Sequence, residues 1–344
     1  MRLSFLDLLP VASGGNAAEV IRSAATVAQA AEAAGFVRYW VAEHHNMPSI
    51  ASAVPDILIA HVAALTSRIR VGAGGVMLPN HAPLRIVEAF RTLEALHPGR
   101  IDLGLGRAPG TDAVTSAALR RGAGDDPNER LAELLAFEQG TFPESHPFRQ
   151  ITPTPAGVSL PPIWMLGSTT AGAAIGASLG VRYAFAGHFA MRNAQAAFAV
   201  YRSRFQPSTS LAEPYAMVAV TVICGEDDAH AARLAAPVRL AIARSLTGQR
   251  QPIATEAEAL AHQFTPEEEA AASSFLEGAI VGGPERVRDG LHRLIQETGA
   301  DEVMISMLLP DLNDRLASLG RIAAAVRVSQ TAPGTSPSRP PATP

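Results

Sequence analysis

The sequence holds a single cysteine, Cys224, which excludes a disulfide framework. It holds no lysine: all 28 basic residues are arginine, scattered along the chain, and with 32 acidic residues the net charge is −4. A nucleic-acid binder needs a basic stripe, so that class is excluded and a small molecule is the expected partner. The lysine-free, Ala- and Pro-rich composition reflects a GC-rich genome more readily than a physical demand. Long apolar runs are missing too. Gly, Pro, Arg or His breaks each one before the ~18 to 20 residues a bilayer crossing needs, and no charged segment leads into an apolar one at Met1. The expectation is a soluble, cytoplasmic protein with no membrane contact. Charged residues are sparse at 17% while hydrophobic ones make up 47%, enough to build a core and to exclude disorder except at the ends. A length of 344 residues admits one large α/β barrel or two ordinary domains.

What is present is alternation. Short apolar runs rich in β-branched residues recur between Ala-rich amphipathic stretches, the pattern of parallel strands joined by covering helices. Strands are expected at Leu3 to Asp7, Tyr39 to Ala42, Ile69 to Met77, Ile101 to Leu105, Ile163 to Leu166, Tyr183 to Ala186, Ala216 to Ile223 and Glu302 to Met307. Asn16 with Glu19 resembles a capping box, Gly35 suits a helix C-terminus, and Pro83 and Pro284 suit first turns. A doubly wound sheet usually stops near six strands, so eight strand–helix units favour an α/β fold of the (β/α)8 TIM-barrel type. Two stretches exceed ordinary loop length, Arg107 to Asp126 after strand 4 and Gly248 to Gly278 after strand 7, and are expected as functional insertions or lids. One domain over 1–328 is expected, followed by a disordered tail over 329–344 whose Pro/Ser/Thr composition cannot form a core.

In such a barrel the loops at the carboxyl ends of the strands build the active site. After strand 5, Gly167-Ser168-Thr169-Thr170 places amides and hydroxyls where a helix begins, which suits an anion as well as a plain N-cap. Arg107, ending the neighbouring strand 4, could grip the same anion bidentately, which favours a phosphate. The run Gly72-Ala73-Gly74-Gly75 lies inside a strand, where glycine marks either a bulge or the close approach of a flat ligand. His44 and His45 are neighbours on a strand end and point to opposite faces, so they cannot easily share a metal and no metal is expected. One could exchange protons near neutral pH; His45, Asn46, His81 and His188 complete the candidate substrate pocket. GLGRAPG has GxGxxxG spacing after the fourth strand, which is not a dinucleotide fingerprint, and no GxSxG elbow supports a hydrolase triad.

The segments RYWVAEHHN, RIRVGAGGVMLPNHAPLRIVEAFRTLEALHPGRIDLGLGRAPG and WMLGSTTAGAAIGASLGVRYAFAGHF together resemble the bacterial luciferase-like, flavin-dependent monooxygenases. The similarity runs to about residue 326, including VGGPERVRDGLHRLIQETGADEVMIS near the C-terminus. It implies a TIM barrel that binds reduced FMN (FMNH2) at its carboxyl-terminal face, with Arg107, Ser168 and Thr169 on the phosphate and Gly106 and Gly167 beside them. Gly74-Gly75 falls where family members carry a non-prolyl cis peptide against the flavin ring, and His44 matches a histidine of acid–base steps. Gly106 stands where the light-emitting luciferase subunit has a reactive cysteine, leaving room beside the ring and arguing against light emission. The implied reaction is two-component: a separate NAD(P)H:flavin reductase supplies FMNH2, O2 forms a C4a-hydroperoxyflavin, and oxygen passes to a small organic substrate. Hydroxylation or epoxidation of a secondary metabolite such as an aromatic polyketide, in antibiotic biosynthesis, fits the resemblance. Relatives pair through helices 2 and 3, here roughly Ser52 to Leu65 and Pro83 to Leu96, implying a homodimer. Three rivals stand beside this reading: a non-catalytic flavin-binding relative, a deazaflavin-dependent oxidoreductase, and a metal-dependent barrel hydrolase using His44, His81 and His188.

Overall fold

Side-chain alternation sets the architecture. A computed structural model describes residues 1–108, 110–119 and 126–328; the expected tail over 329–344 lies outside the described residues, as does part of the first insertion. The strands are β1 (Leu3–Asp7), β2 (Arg38–Val41), β3 (Arg70–Met77), β4 (Ile101–Gly106), β5 (Ile163–Gly167), β6 (Arg182–Ala186), β7 (Ala216–Cys224), β8 (Ile280–Gly282) and β9 (Glu302–Ser306). All pair in parallel. Because β6 pairs with β7 and β9 with both β7 and β1, eight strands close into a TIM barrel. The ninth, β8, was not expected. It is three residues long, too short to show a period, and lies against Val222–Cys224 outside the ring.

Partners in register share a face of the sheet. Leu6, Trp40 and Gly72 are in register, as are Gly104 with Trp164 and Met217 with Glu302. Trp40 and Trp164 pack edge to face at 5.2 Å, and Leu6, Met217 and Met304 belong to the same small core. The alternate residues, such as Phe5, Tyr39, Val71 and Val218, join the much larger layer against the helices.

Charge closes the amino end of the barrel. Arg38 holds Asp102 at 2.8 Å and Glu302 at 2.9 Å, Arg70 reaches Asp102 at 2.7 Å, and the Tyr215 hydroxyl donates to Glu302 at 2.7 Å. The Arg38 guanidinium also lies 4.8 Å from the centre of the Trp164 ring. Burial works against the charge on Arg38, yet the two carboxylates raise its pKa above the ordinary arginine value. The amino end of the lumen is thus filled, and a cavity opens towards the carboxyl ends of the strands.

The helix signals fall where expected with one difference. Asn16 caps Ala17–Ala34 by accepting from the Ala18 amide, but Glu19 touches the Asn16 side chain rather than its backbone, so the reciprocal box is not formed. Gly35 ends this helix at φ 88°, and Pro83 and Pro284 sit in first turns. Full capping boxes occur instead at Thr255/Glu258 and Thr265/Glu268. These lie in the second insertion, which is helical, with Glu256–Ala261 and Pro266–Leu276. It is also larger than the expected Gly248 to Gly278, since the preceding helix Asp228–Leu246 contributes Ala241, Ile242, Ser245 and Leu246 to the roof of the cavity below.

Candidate active site

A cavity of about 640 Å³ opens among the carboxyl ends of the strands. Leu6, Leu8, Met304 and Leu308 wall it from the barrel, and Ile242, Ile253 and Phe275 from the second insertion. Ile253 is pinned in place: its amide donates to Val11 at 2.8 Å and its carbonyl accepts from Ser13 at 2.6 Å, tying the insertion to the loop after β1.

One corner is built for an anion. Strand β5 ends at Gly167, and Thr169 caps the helix Thr170–Ser178 through a long 3.5 Å bond from the Gly172 amide. Gly167 and Gly172 pack so closely that a Cβ on either would lie 3.4 Å from the other's Cα. Arg107 enters from the end of β4, and a Cβ on Gly172 would lie 3.5 Å from its Nη2, so the guanidinium rests on the first turn of that helix. A helix N-terminus carries partial positive charge, and a cation beside it is repelled unless an anion lies between them. The buried Nε of Arg107 has no partner among the described residues. A donor left in that state costs about 1–3 kcal/mol, and a phosphate would remove the cost. Tyr183 steadies the corner by donating to the Thr169 carbonyl at 3.3 Å. Burial raises its hydroxyl pKa above the ordinary value, so it stays a donor.

The glycines of β3 have identifiable neighbours. Gly74 and Gly75 are joined by a cis peptide, and the register with β4 slips between Ala73 and Val76. A Cβ on Gly72 would lie 2.6 Å from the Asp102 carbonyl, one on Gly74 would lie 2.7 Å from the Trp40 ring, and one on Gly75 would lie 2.8 Å from the Gly104 carbonyl. Protein atoms already require glycine here, and Gly74 still presents its backbone to the cavity while Gly75 does not line it. At Gly106 the expected free room is taken up. It is in register with Met77, whose sulfur would lie 2.8 Å from a Cβ at that position.

Of the histidines, His44 and His188 line the cavity with Gly74, Gly106, Arg107, Gly167, Ser168 and Thr169. The Nδ1 atoms of His44 and His188 are buried without a partner among the described residues. Burial lowers the pKa of each to about 4; for His188 the nearby His44 adds to the effect, so both are neutral at pH 7. His45, Asn46 and His81, expected in the substrate pocket, are placed elsewhere. Buried Glu43 accepts from His45, His81 and Asn80 at 2.9 Å each and from the Met77 amide at 2.8 Å. Burial would raise its pKa, but these donors, His81 foremost, hold it below the carboxylate range. Asn46, at φ 55°, reaches away to Asp112 and Thr115. With His81 on Glu43, the three histidines of the hydrolase alternative do not converge. Among the described residues no group of three His, Cys, Asp or Glu side chains could hold a metal ion.

Several lining residues are not among those expected from the sequence. Thr221 and Ser306 are inward positions near the ends of β7 and β9, recoverable from strand alternation alone, whereas Ser49, Ile242 and Phe275 come from loop and insertion segments whose course no local pattern sets.

The chain is similar to known proteins. The family model for luciferase-like monooxygenases matches residues 1–302. The luciferase-like monooxygenase of Escherichia coli (strain K12) is 40% identical over 318 residues, covering 92% of this chain and 94% of that protein. Among solved structures, apo-MsnO8 superposes with a TM-score of 0.86 at 35% identity, covering 95% of this chain and 97% of its own. The oxygenating constituent of 3,6-diketocamphane monooxygenase from Pseudomonas putida, solved in complex with FMN, shares the fold with a TM-score of 0.69 at 18% identity over 95% of this chain and 97% of its own. The chain belongs to the luciferase-like monooxygenase family and is a flavin-dependent monooxygenase.

Proposed function

We propose that the protein is the oxygenating half of a two-component system, taking FMNH2 from a separate NAD(P)H:flavin reductase and using O2 to hydroxylate or epoxidise a small, mainly apolar molecule. The observation that carries this reading is the unpartnered Arg107 Nε at the first turn of Thr170–Ser178, a cation and a helix end that both call for an anion. The FMN complex of the diketocamphane enzyme's oxygenating constituent supports both the cofactor and the division of labour.

When bound, reduced flavin supplies the electrons that activate O2. Arg107, Ser168 and Thr169 would hold its phosphate, and the Gly74 backbone, which lines the same cavity, would face its ring. His44, neutral and lining the same cavity, would accept a proton at a ring nitrogen. Ile242, Ile253 and Phe275 keep water from that space.

FMN titration followed by flavin fluorescence tests the corner. Arg107→Ala should weaken binding by roughly 10- to 100-fold, the worth of a charge-assisted bond, with the barrel's circular dichroism unchanged; equal affinity in the variant would refute the phosphate assignment. Incorporation of label from 18O2 into an organic product, with chemically reduced FMN replacing the reductase, tests the oxygen source.

The same proposal includes a homodimer through the helices Pro55–Ala64 and Pro83–Leu96. Ile57 and Leu96 are 66% and 62% exposed, flanking a groove that the two helices share. Ile57→Glu should shift the mass measured by sedimentation from two chains to one.

A further inference from the structure

Arg107 is the only charged residue among the described residues that line the cavity, and the proposed phosphate occupies it. The remaining lining is apolar apart from small hydroxyl residues and two imidazoles. Those imidazoles have one feature in common: His44, in the loop after β2, and His188, in the short helix Gly187–Ala190 after β6, each keep a buried Nδ1 without a partner among the described residues. Each ring is neutral, so each carries one N–H donor and one lone-pair acceptor. Neither is hydrogen-bonded to a carboxylate among the described residues, although the charge of Glu43 still favours protonation of His44. Glu43, next to His44 in the chain, is turned away onto His45 and His81. The His188 ring instead lies 4.2 Å from that of Phe189, which packs edge to face on Phe275 of the insertion at 5.6 Å.

The geometry points to a two-imidazole clamp for one uncharged hydroxyl group of an otherwise apolar substrate, with His188 as the specificity-determining residue. The match is one of valence. A hydroxyl both donates and accepts, so one ring can receive its hydrogen while the other donates to its oxygen. A carboxylate only accepts and would bring an unpaired charge into an apolar chamber; an ammonium only donates and would do the same. An ether of the same shape leaves one ring nitrogen unsatisfied. Sites built to bond a substrate hydroxyl reject analogues lacking it far more strongly than apolar sites reject a missing methylene. This assignment rests on the flavin reading only in giving Arg107 to the phosphate.

The test is calorimetric titration of the full-length protein with three probes of similar shape: 4-ethylphenol, 4-ethylanisole and 4-ethylbenzoate. The phenol should bind at least ~10-fold more tightly than the ether and the benzoate. In His188→Phe the phenol and the ether should bind alike, and in His188→Gln, which restores a donor and an acceptor, a preference for the phenol should return. The clamp is overturned if the benzoate equals the phenol, if the ether equals it, if the phenol does not bind, or if His188→Phe keeps the full preference. FMN titration in a parallel cell separates the two readings. Phenol selectivity without FMN binding defeats only the flavin assignment, and FMN binding without phenol selectivity defeats only the clamp.

Discussion

His44 and His188 are held neutral by burial, and that has a thermodynamic consequence besides the chemical one. With folded pKa values near 4 against 6.5 for free histidine, the unfolded chain binds protons that the folded chain refuses anywhere between those values. The unfolding free energy should therefore be level above about pH 6.5 and fall as the pH drops towards 4. The two sites together should account for a loss on the order of a few kcal/mol. Urea unfolding of the wild type and of His188→Gln at pH 7.5 and pH 4.5 checks this: the variant should lose less stability on acidification. Glu43 acts in the same sense, because a carboxylate held below its ordinary pKa contributes stability that is lost on protonation as the pH falls. Its role was hidden in the sequence. Within EHH it reads as one more polar residue, and its partner His81 lies 38 positions away.

At the scale of elements, the β3–β4 pair shows how two glycines of one strand differ in what they tolerate. A Cβ on Gly104 would lie 2.1 Å from the Ala73 carbonyl, a backbone atom that cannot move without breaking the sheet. One on Gly106 would press on the Met77 sulfur, near the end of a flexible side chain, with the Val76 carbonyl at an ordinary 3.6 Å. Gly104→Ala should cost about 3 kcal/mol or more and Gly106→Ala about 1 kcal/mol or less, measured as the shift in denaturant midpoint. Strand positions such as Ala216–Cys224 were legible because a long run rich in β-branched residues permits little else. The corner formed by Arg107, Ser168 and Thr169 was legible for a related reason, since the ends of adjacent parallel strands must be neighbours. The roof was not. Asp228–Leu246 has the amphipathic pattern of any covering helix, and only the tertiary structure shows that one stretch of it looks into the cavity. Nor does any local signal reveal that Asp112 ties the two insertions together, bonding Asn46 and Thr115 on one side and Arg250 at 2.9 Å on the other.

For the whole molecule the decisive interactions are those of Arg38 with Asp102 and Glu302, which link β2, β4 and β9 across the lumen. Removing one member of a buried ion network leaves the others charged and unpaired, so Arg38→Ala should destabilise the fold by about 3–5 kcal/mol, read from thermal or urea unfolding. Double replacement of Arg38 and Asp102 by apolar residues should cost less than the two single changes summed, since no lone charge is then left between that pair.

That same seal makes the barrel a blind well. Anything held among the carboxyl ends of the strands has no passage through the floor that Arg38, Asp102 and Glu302 close, so entry and departure are left to the rim and the insertions over it.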